Sequence, residues 1–409
     1  MNRWDMSTMF IIGRNLFDKI HKRKKHSHHN HEIHFMARDR KWLLEGIQSL
    51  VNGTYEPRCL KRYYFSDEMV DQLHISDRIF QHILLRILKP TFKHVMNQNC
   101  YHLDGPTGVK NATQKIREAL QKGQPKYFIR ADIKSFYKSI PHNKLIQDIK
   151  KYYNDPKLIV MLQNIIKNPI DSPYGYKNPD HGIALRGPLS QFLSGIYLKP
   201  LDDAFNQADV TYLRYQDDIL ILCKTKRQLN RCKRRMMNVL NERQLSLSKR
   251  KTRLGAIESG FHFLGINYPP TRTADNTNAT PVNDGIITEP TLAQNLNNEG
   301  AFIAHQTQDA SHIVPQPRTL RKAREQVKSM VADGVSRPQI KRYLVRWLCW
   351  WVNTASIWEH EELALRYIES CWNPAAATNA IEMLQHYRVT ELRNDVHQTG
   401  RVTALELAA

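Results

Sequence analysis

No apolar run in this chain approaches the roughly 20 residues that a membrane-spanning helix needs, so no bilayer span is expected. Met1 to Leu16 lacks the basic start, apolar centre and small-residue cleavage site of a signal peptide, and an intracellular location is the expectation. Cysteine is sparse. The six thiols, at Cys59, Cys100, Cys223, Cys232, Cys349 and Cys371, contain no C-x-x-C pair, which argues against a zinc site and a disulfide framework and predicts reduced, mostly buried side chains. Acids are also short: 39 Asp and Glu face 60 Lys and Arg, a formal charge of +21. Such an excess favours a polyanionic partner, nucleic acid ahead of an anionic membrane surface. No internal repeat is visible, and 409 residues are too many for one small core, so two or three domains are expected.

The positive charge collects in three places. Residues 19–34 combine the run Lys22 to Lys25 with six histidines, at 21, 26, 28, 29, 31 and 34, and read as part of a flexible basic arm spanning residues 1–36. From Met36 onward the pattern becomes globular, with Trp42, Leu43, Leu44, Ile47 and Leu50 at helical spacing. Lys226 to Arg253 carries eleven Lys or Arg and one acid, Glu242, while Leu229, Cys232, Met236, Val239 and Leu240 keep a helical period. Pro269 to Pro317 then loses apolar periodicity and reads as a polar linker or insertion. Beyond it, Leu320, Ala323, Val327 and Val331 predict a helix ending at Asp333-Gly334, and Ile340, Leu344, Trp347, Leu348 and Trp351 predict another. Residues 318–409 are therefore expected to form a helical C-terminal region, with nine Lys or Arg between Arg318 and Arg346 and with Trp347, Trp350, Trp351 and Trp358 as core residues.

Acids matter most where they are paired. Tyr215-Gln216-Asp217-Asp218 lies between the apolar run of Tyr212 and Leu213 and that of Ile219 to Cys223, the pattern of a hairpin turning at Gln216 and Asp217. Two adjacent carboxylates at such a tip resist joint ionisation unless a cation sits between them, which points to a divalent metal and phosphoryl-transfer chemistry. A third carboxylate is needed from elsewhere. Asp132 ends the apolar strand that begins at Tyr127 and is followed by Ile133 and the pair Phe136-Tyr137. Between the acidic sites comes a glycine-containing turn, Gly182 to Gln191, feeding an apolar helix, and downstream lie Leu245 to Thr252 and Gly260 to Gly265.

In order and spacing these segments resemble the palm of reverse transcriptases: a first acid, a glycine turn, YxDD, a lysine and F-x-F-L-G. Asp77 to His82 and the following Leu84, Leu85, Leu88 and Pro90 resemble the finger segment of group II intron-like enzymes, and Tyr101 to Gly108 continue it. The resemblance covers Asp39 to Tyr268, with a looser match from 318 to about 372. It implies an α+β right-hand polymerase with fingers and palm over residues 37–268 and a helical thumb over 318–409. It also implies two Mg²⁺ ions, with Mn²⁺ as substitute, held by Asp132, Asp217, Asp218 and the Ile133 carbonyl. Tyr137 would be the steric gate against a ribose 2′-hydroxyl. Phe136, Ser190, Gln191 and Lys251 would face the dNTP, Tyr215 and Gln216 would lie under the primer end, and Phe261, Phe263, Leu264 and Gly265 would form a primer grip. One departure stands out: family members carry glycine where this chain has Arg186, after Ala184-Leu185, so Gly187 is expected to take the close-approach role.

No RNase H, integrase or homing-endonuclease pattern is visible, nor the NAxxH element of retron enzymes. What remains resembles the stand-alone reverse transcriptases of bacteria, among which antiviral defence enzymes are prominent. That likeness implies a cytoplasmic enzyme copying a noncoding RNA into cDNA. Two alternatives stay open at this level: an RNA-binding scaffold that no longer polymerises, and untemplated or protein-primed DNA synthesis by the same site.

Overall fold

The computed structural model of the protein describes residues 5–24, 31–64, 69–103, 105–185, 187–206, 208–268, 314–315, 317–336, 338–340, 342–344 and 346–347. The chain opens with helices α1 (Met6–Lys24), α2 (His31–Arg38) and α3 (Lys41–Asn52), then strands β1 (Leu60–Tyr64) and β2 (Met69–Gln72) and helices α4 (Ile75–Leu88) and α5 (Phe92–Val95). Helix α6 (Gly108–Gln121) leads into β3 (Tyr127–Asp132), followed by the short α7 (Phe136–Ser139), α8 (His142–Tyr152), α9 (Pro156–Ile166), β4 (Ile170–Ser172) and β5 (Gly175–Lys177). Helix α10 (Ser190–Phe205), the hairpin β6 (Thr211–Tyr215) and β7 (Asp218–Cys223), and helix α11 (Lys226–Glu242) follow. The described part ends with β8 (Arg253–Ala256), β9 (Phe261–Phe263), β10 (Ile266–Tyr268), β11 (Val314–Pro315) and α12 (Pro317–Ala332), and short helical stretches beyond it. The architecture is α+β.

Two compact units are distinguished, one of Met1–Leu103, Ala131–Ile219 and Asn230–Thr252, the other of Asp104–Arg130, Leu220–Leu229 and Arg253–Ala409. In the first, a four-stranded sheet has the order β2-β1-β4-β5, antiparallel except for the parallel β1–β4 pair. Its helical part corrects the expected flexible arm. Met9, Phe17, Ile33 and Met36 are buried, and α1 packs against α3 and α4. The apolar contact positions of α1 recur only once per turn, a stripe too thin to stand out beside the basic residues of its C-terminal half. Residues 25–30, within the histidine-rich stretch, lie outside the described residues.

The sheet that carries the acids has the order β6-β7-β3-β8. Its strands form where apolar and β-branched residues run together: Ile219, Leu220, Ile221, Leu222 and Cys223 of β7 are almost completely buried, as are Ile129 and Ala131 of β3. Because β7 and β3 are neighbours, the acid that ends β3 and the pair that opens β7 meet at one end of the sheet. In α11 the expected faces are seen, with Leu229, Cys232, Met236 and Leu240 buried and Arg227, Arg231, Lys233, Arg234 and Arg235 exposed.

In the second unit, β9 and β10 form a hairpin whose two-residue turn, Leu264-Gly265, takes φ of +50° and +80°, the left-handed pair that matches strand twist. Phe261 stacks on Phe128 and on Tyr268 at 5.1 and 4.6 Å. Val314–Pro315, expected within the linker, instead pair with β10; two residues of a polar stretch leave no period to read. Residues 269–313 lie outside the described residues. Helix α12 ends as expected at Gly334, with φ of +69°, and Ala323, Val327, Ile340 and Leu344 form a small core against which Trp347 packs. The other expected core tryptophans, Trp350, Trp351 and Trp358, lie outside the described residues. Of the cysteines among the described residues, Cys100, Cys223 and Cys232 are buried thiols and Cys59 is an exposed one.

Candidate active site

All the residues needed for the acidic centre belong to the first unit. Strand β3 delivers Asp132, buried to 6% exposure. Directly after it, Ile133 N–H donates to the Asp217 carbonyl at 3.3 Å, Lys134 N–H to the Ser246 carbonyl at 2.8 Å, and Ser248 N–H to the Asp132 carbonyl at 2.8 Å. These main-chain bonds tie three sequence-distant segments, around 132, 217 and 247, into one rim. Lys251 completes it from the same loop: its Nζ lies 2.9 Å from Asp132 Oδ1.

The electrostatics are those of a site short of cations. Burial raises the Asp217 carboxyl above the ordinary range, and the nearby Asp132 raises it further, with Lys251 and Arg214 pulling the other way. The hydrogen bond to Asp132 raises the Lys251 ammonium, with Asp217 and Asp218 adding to it. Three carboxylates therefore share the field of one lysine. Lys251, which the resemblance sets at the dNTP, is also the counter-ion of Asp132, a contact the sequence does not signal. Among the described residues no group of three or more His, Cys, Asp or Glu side chains is drawn together closely enough to hold a metal ion as they stand. The donor chemistry nevertheless fits hard divalent cations such as Mg²⁺, because carboxylate and carbonyl oxygens are their preferred ligands, and Asp217 is raised first by burial and then by the neighbouring Asp132.

Around this centre, Tyr137 follows from α7, which is entered through Ser135 in a left-handed conformation, φ +48°. Its carbonyl accepts from Ile183 N–H at 2.9 Å, which holds the glycine turn beside Tyr137. Burial raises the Tyr137 phenol above its usual range, opposed by a hydrogen bond to Ser194, and Asp217 and Tyr215 are within electrostatic reach. At Gly187 a Cβ would lie 2.6 Å from Ser190 Oγ and 3.3 Å from the Ala184 carbonyl oxygen, so the absence of a side chain lets the turn close on its own chain. Ser190 Oγ in turn donates to that same Ala184 carbonyl at 2.5 Å. Arg186, the departure noted in the sequence, lies outside the described residues.

The other expected contacts divide. Tyr215 and Gln216 are half-buried at the hairpin tip, and Gln191 starts α10. Phe136 is 2% exposed and packs at 5.4 Å from the Tyr137 ring, so it backs Tyr137 from within the core. Phe261 and Phe263 are buried in the second unit, with Leu264 and Gly265 at the turn between β9 and β10.

Sequence reasoning missed the layer beneath the tip. Arg214 is fully buried and forms a two-pronged ion pair with Asp202, Nε to Oδ1 at 2.7 Å and Nη2 to Oδ2 at 2.6 Å. Tyr212 Oη donates to Asp202 Oδ1 at 2.7 Å, and His102 lies beside Tyr215 with ring centroids 6.2 Å apart. The one available signal was an arginine inside an otherwise apolar strand, which demands a buried acid from another element.

Comparison with known proteins places this geometry. Residues 69–268 match the family model described as reverse transcriptase (RNA-dependent DNA polymerase). Protein YkfC of Escherichia coli strain K12 is 22% identical over 259 residues, 53% of this chain and 68% of that protein. The group II intron-encoded protein LtrA of Lactococcus lactis subsp. cremoris is 25% identical over 162 residues, which span 38% of this chain but only 27% of LtrA. Among solved structures, telomerase from Candida albicans in complex with a fragment of telomeric RNA aligns over 83% of this chain and 67% of that one, at 12% identity and a TM-score of 0.43. With the matched segment running from β2 through the Asp132 strand and the YxDD hairpin to the end of β10, residues 69–268 are a reverse transcriptase domain, of the RNA-dependent DNA polymerase family.

Proposed function

We propose that this protein copies a noncoding RNA into cDNA by two-metal nucleotidyl transfer, in the cytoplasm of a bacterium and as part of an antiphage defence system. The observation that carries the polymerase chemistry is the meeting of Asp132 and Asp217 at adjoining strand ends, with Lys251 Nζ 2.9 Å from Asp132. The noncoding template and the defence role rest on the likeness to stand-alone bacterial reverse transcriptases alone.

Asp132, Asp217, Asp218 and the Ile133 carbonyl would hold two Mg²⁺ ions, with Mn²⁺ able to substitute. Such a pair, when bound, favours a deprotonated primer 3′-hydroxyl and offsets charge on the α-phosphate and leaving pyrophosphate. The chain's own residues supply the positioning. Lys251, with a side chain 60% exposed, can exchange the Asp132 carboxylate for a phosphate oxygen as a dNTP enters. Tyr137, fixed through its carbonyl and its packing on Phe136, crowds a ribose 2′-hydroxyl and so selects deoxynucleotides. Ser190 and Gln191 line the nucleotide side from the start of α10. The exposed cationic face of α11 offers phosphate contacts to template and primer.

Incubating the protein with Mg²⁺, labelled dNTPs and a primed RNA tests the reading. The wild type should extend the primer, and Asp217→Asn should lose at least about a hundredfold in rate, because metal charge stabilisation is worth several kcal/mol. No incorporation by the wild type would leave an RNA-binding scaffold as the better account, and equal incorporation by both would remove Asp217 from the chemistry.

A further inference from the structure

Gln216, the residue just before Asp217, has φ of +56°, a conformation that side-chain-bearing residues rarely adopt. Both polar groups of its backbone are held. Its N–H donates to His102 Nδ1 at 3.2 Å, and its carbonyl accepts from Arg214 Nη1 at 3.0 Å. The His102 ring also reaches the other way, with Nε2 2.9 Å from the Gln191 carbonyl oxygen. Only one tautomer satisfies both contacts: the proton on Nε2, donated to Gln191, and the lone pair on Nδ1, accepting from Gln216. Burial, and then the charge of Arg214, lowers the His102 pKa to about 3, so the ring keeps that neutral form at physiological pH. Cys100 closes the layer, with Sγ 3.1 Å from Arg214 Nη2 and 3.3 Å from His102 Nδ1. His102 and Arg214 are 3% and 0% exposed, so water cannot stand in for either.

We propose that His102 is a positioning residue: together with Arg214 it clamps the Gln216 peptide, and through it fixes the Asp217 carboxylate. The assignment builds on the polymerase reading and gives it a mechanical part. A left-handed Gln216 persists only if its surroundings over-determine it, and His102 and Arg214 are the groups that do so. Without the clamp the peptide can relax, and displacement of a reacting group by about 1 Å costs on the order of a hundredfold in rate. The Gln191 carbonyl, 2.9 Å from Nε2, orients the ring so that Nδ1 faces Gln216.

Two substitutions separate the halves of the ring. Asn at 102 places its amide oxygen where Nδ1 stood, so His102→Asn keeps an acceptor for Gln216 but falls short of Gln191. His102→Gln reaches Gln191 and leaves the Gln216 N–H buried without an acceptor. Mn²⁺ binding is measured by electron paramagnetic resonance titration without nucleotide or primer, and single-dNTP kcat and KM are measured with Mg²⁺. His102→Gln should weaken Mn²⁺ binding and lower kcat, each by about tenfold, the equivalent of one unsatisfied buried donor, while KM for dNTP stays within about twofold; His102→Asn should stay within about threefold of wild type. Unchanged Mn²⁺ affinity in His102→Gln, or equal losses in both variants that track a fall in Tm, would overturn the clamp. A wild type that binds Mn²⁺ but incorporates no dNTP would refute the polymerase reading instead, and the Mn²⁺ ratios would still decide the clamp.

Discussion

Removing the Arg214 side chain should expose how much the hairpin depends on a buried charge pair. Arg214 and Asp202 are 0% and 1% exposed in their side chains, so neither has water to fall back on. In Arg214→Met the Asp202 carboxylate keeps only the Tyr212 hydroxyl among the contacts described above. Removing one partner of a buried pair costs roughly 3–5 kcal/mol, because the other charge is left uncompensated in a dry site. A fall in Tm of about 6–20 °C is expected for a domain of this size. Urea denaturation at pH 7 measures the loss, and the double variant Arg214→Met/Asp202→Leu should recover at least half of it because both charges leave together. A single-variant cost under about 1 kcal/mol, or a double variant no better than the single, would refute the reasoning.

Other outcomes follow from the same structure. Tyr137→Ala should raise ribonucleotide relative to deoxynucleotide incorporation, read by competing labelled NTP and dNTP; an unchanged ratio removes Tyr137 from the gate. Gly46→Ala should destabilise by about 1–3 kcal/mol through overpacking, since its Cβ would fall 1.9 Å from Phe80 Cζ; a neutral result by thermal denaturation would contradict the packing of α3 on α4. The His102 imidazole, held down to about 3 when folded, protonates near 6.5 when unfolded. It therefore costs stability as pH falls below about 6.5, by up to about 1.4 kcal/mol per unit, and His102→Asn should flatten that acid limb in urea titrations at pH 4–7. RNA affinity should fall steeply with salt as several phosphate contacts release counterions; a flat response in fluorescence anisotropy would argue against a cationic groove.

Much of the catalytic geometry was legible because it is written in short, local patterns. An apolar strand ending in Asp132, and two apolar runs flanking Gln216-Asp217, place acids at strand ends whatever the rest of the chain does. The clamp was not legible. His102 is joined to the tip by one bond to a backbone N–H, and a backbone donor leaves no mark on sequence. Lys251 pairing with Asp132 was hidden for a similar reason, since a loop lysine carries no sign of the carboxylate it will meet 119 residues away. The first helix was lost to composition: Met9 and Phe17 are buried, but the basic, histidine-rich stretch that begins in the second half of α1 dominates any average taken over that region.

The most direct test of RNA-templated DNA synthesis is single-nucleotide extension on four primed RNAs that differ only in the first template base. The wild type should add the one dNTP complementary to each template, and Asp132→Asn should add none at a comparable rate. A wild type that adds nothing, or that adds the same nucleotides whatever the template base, would contradict the account.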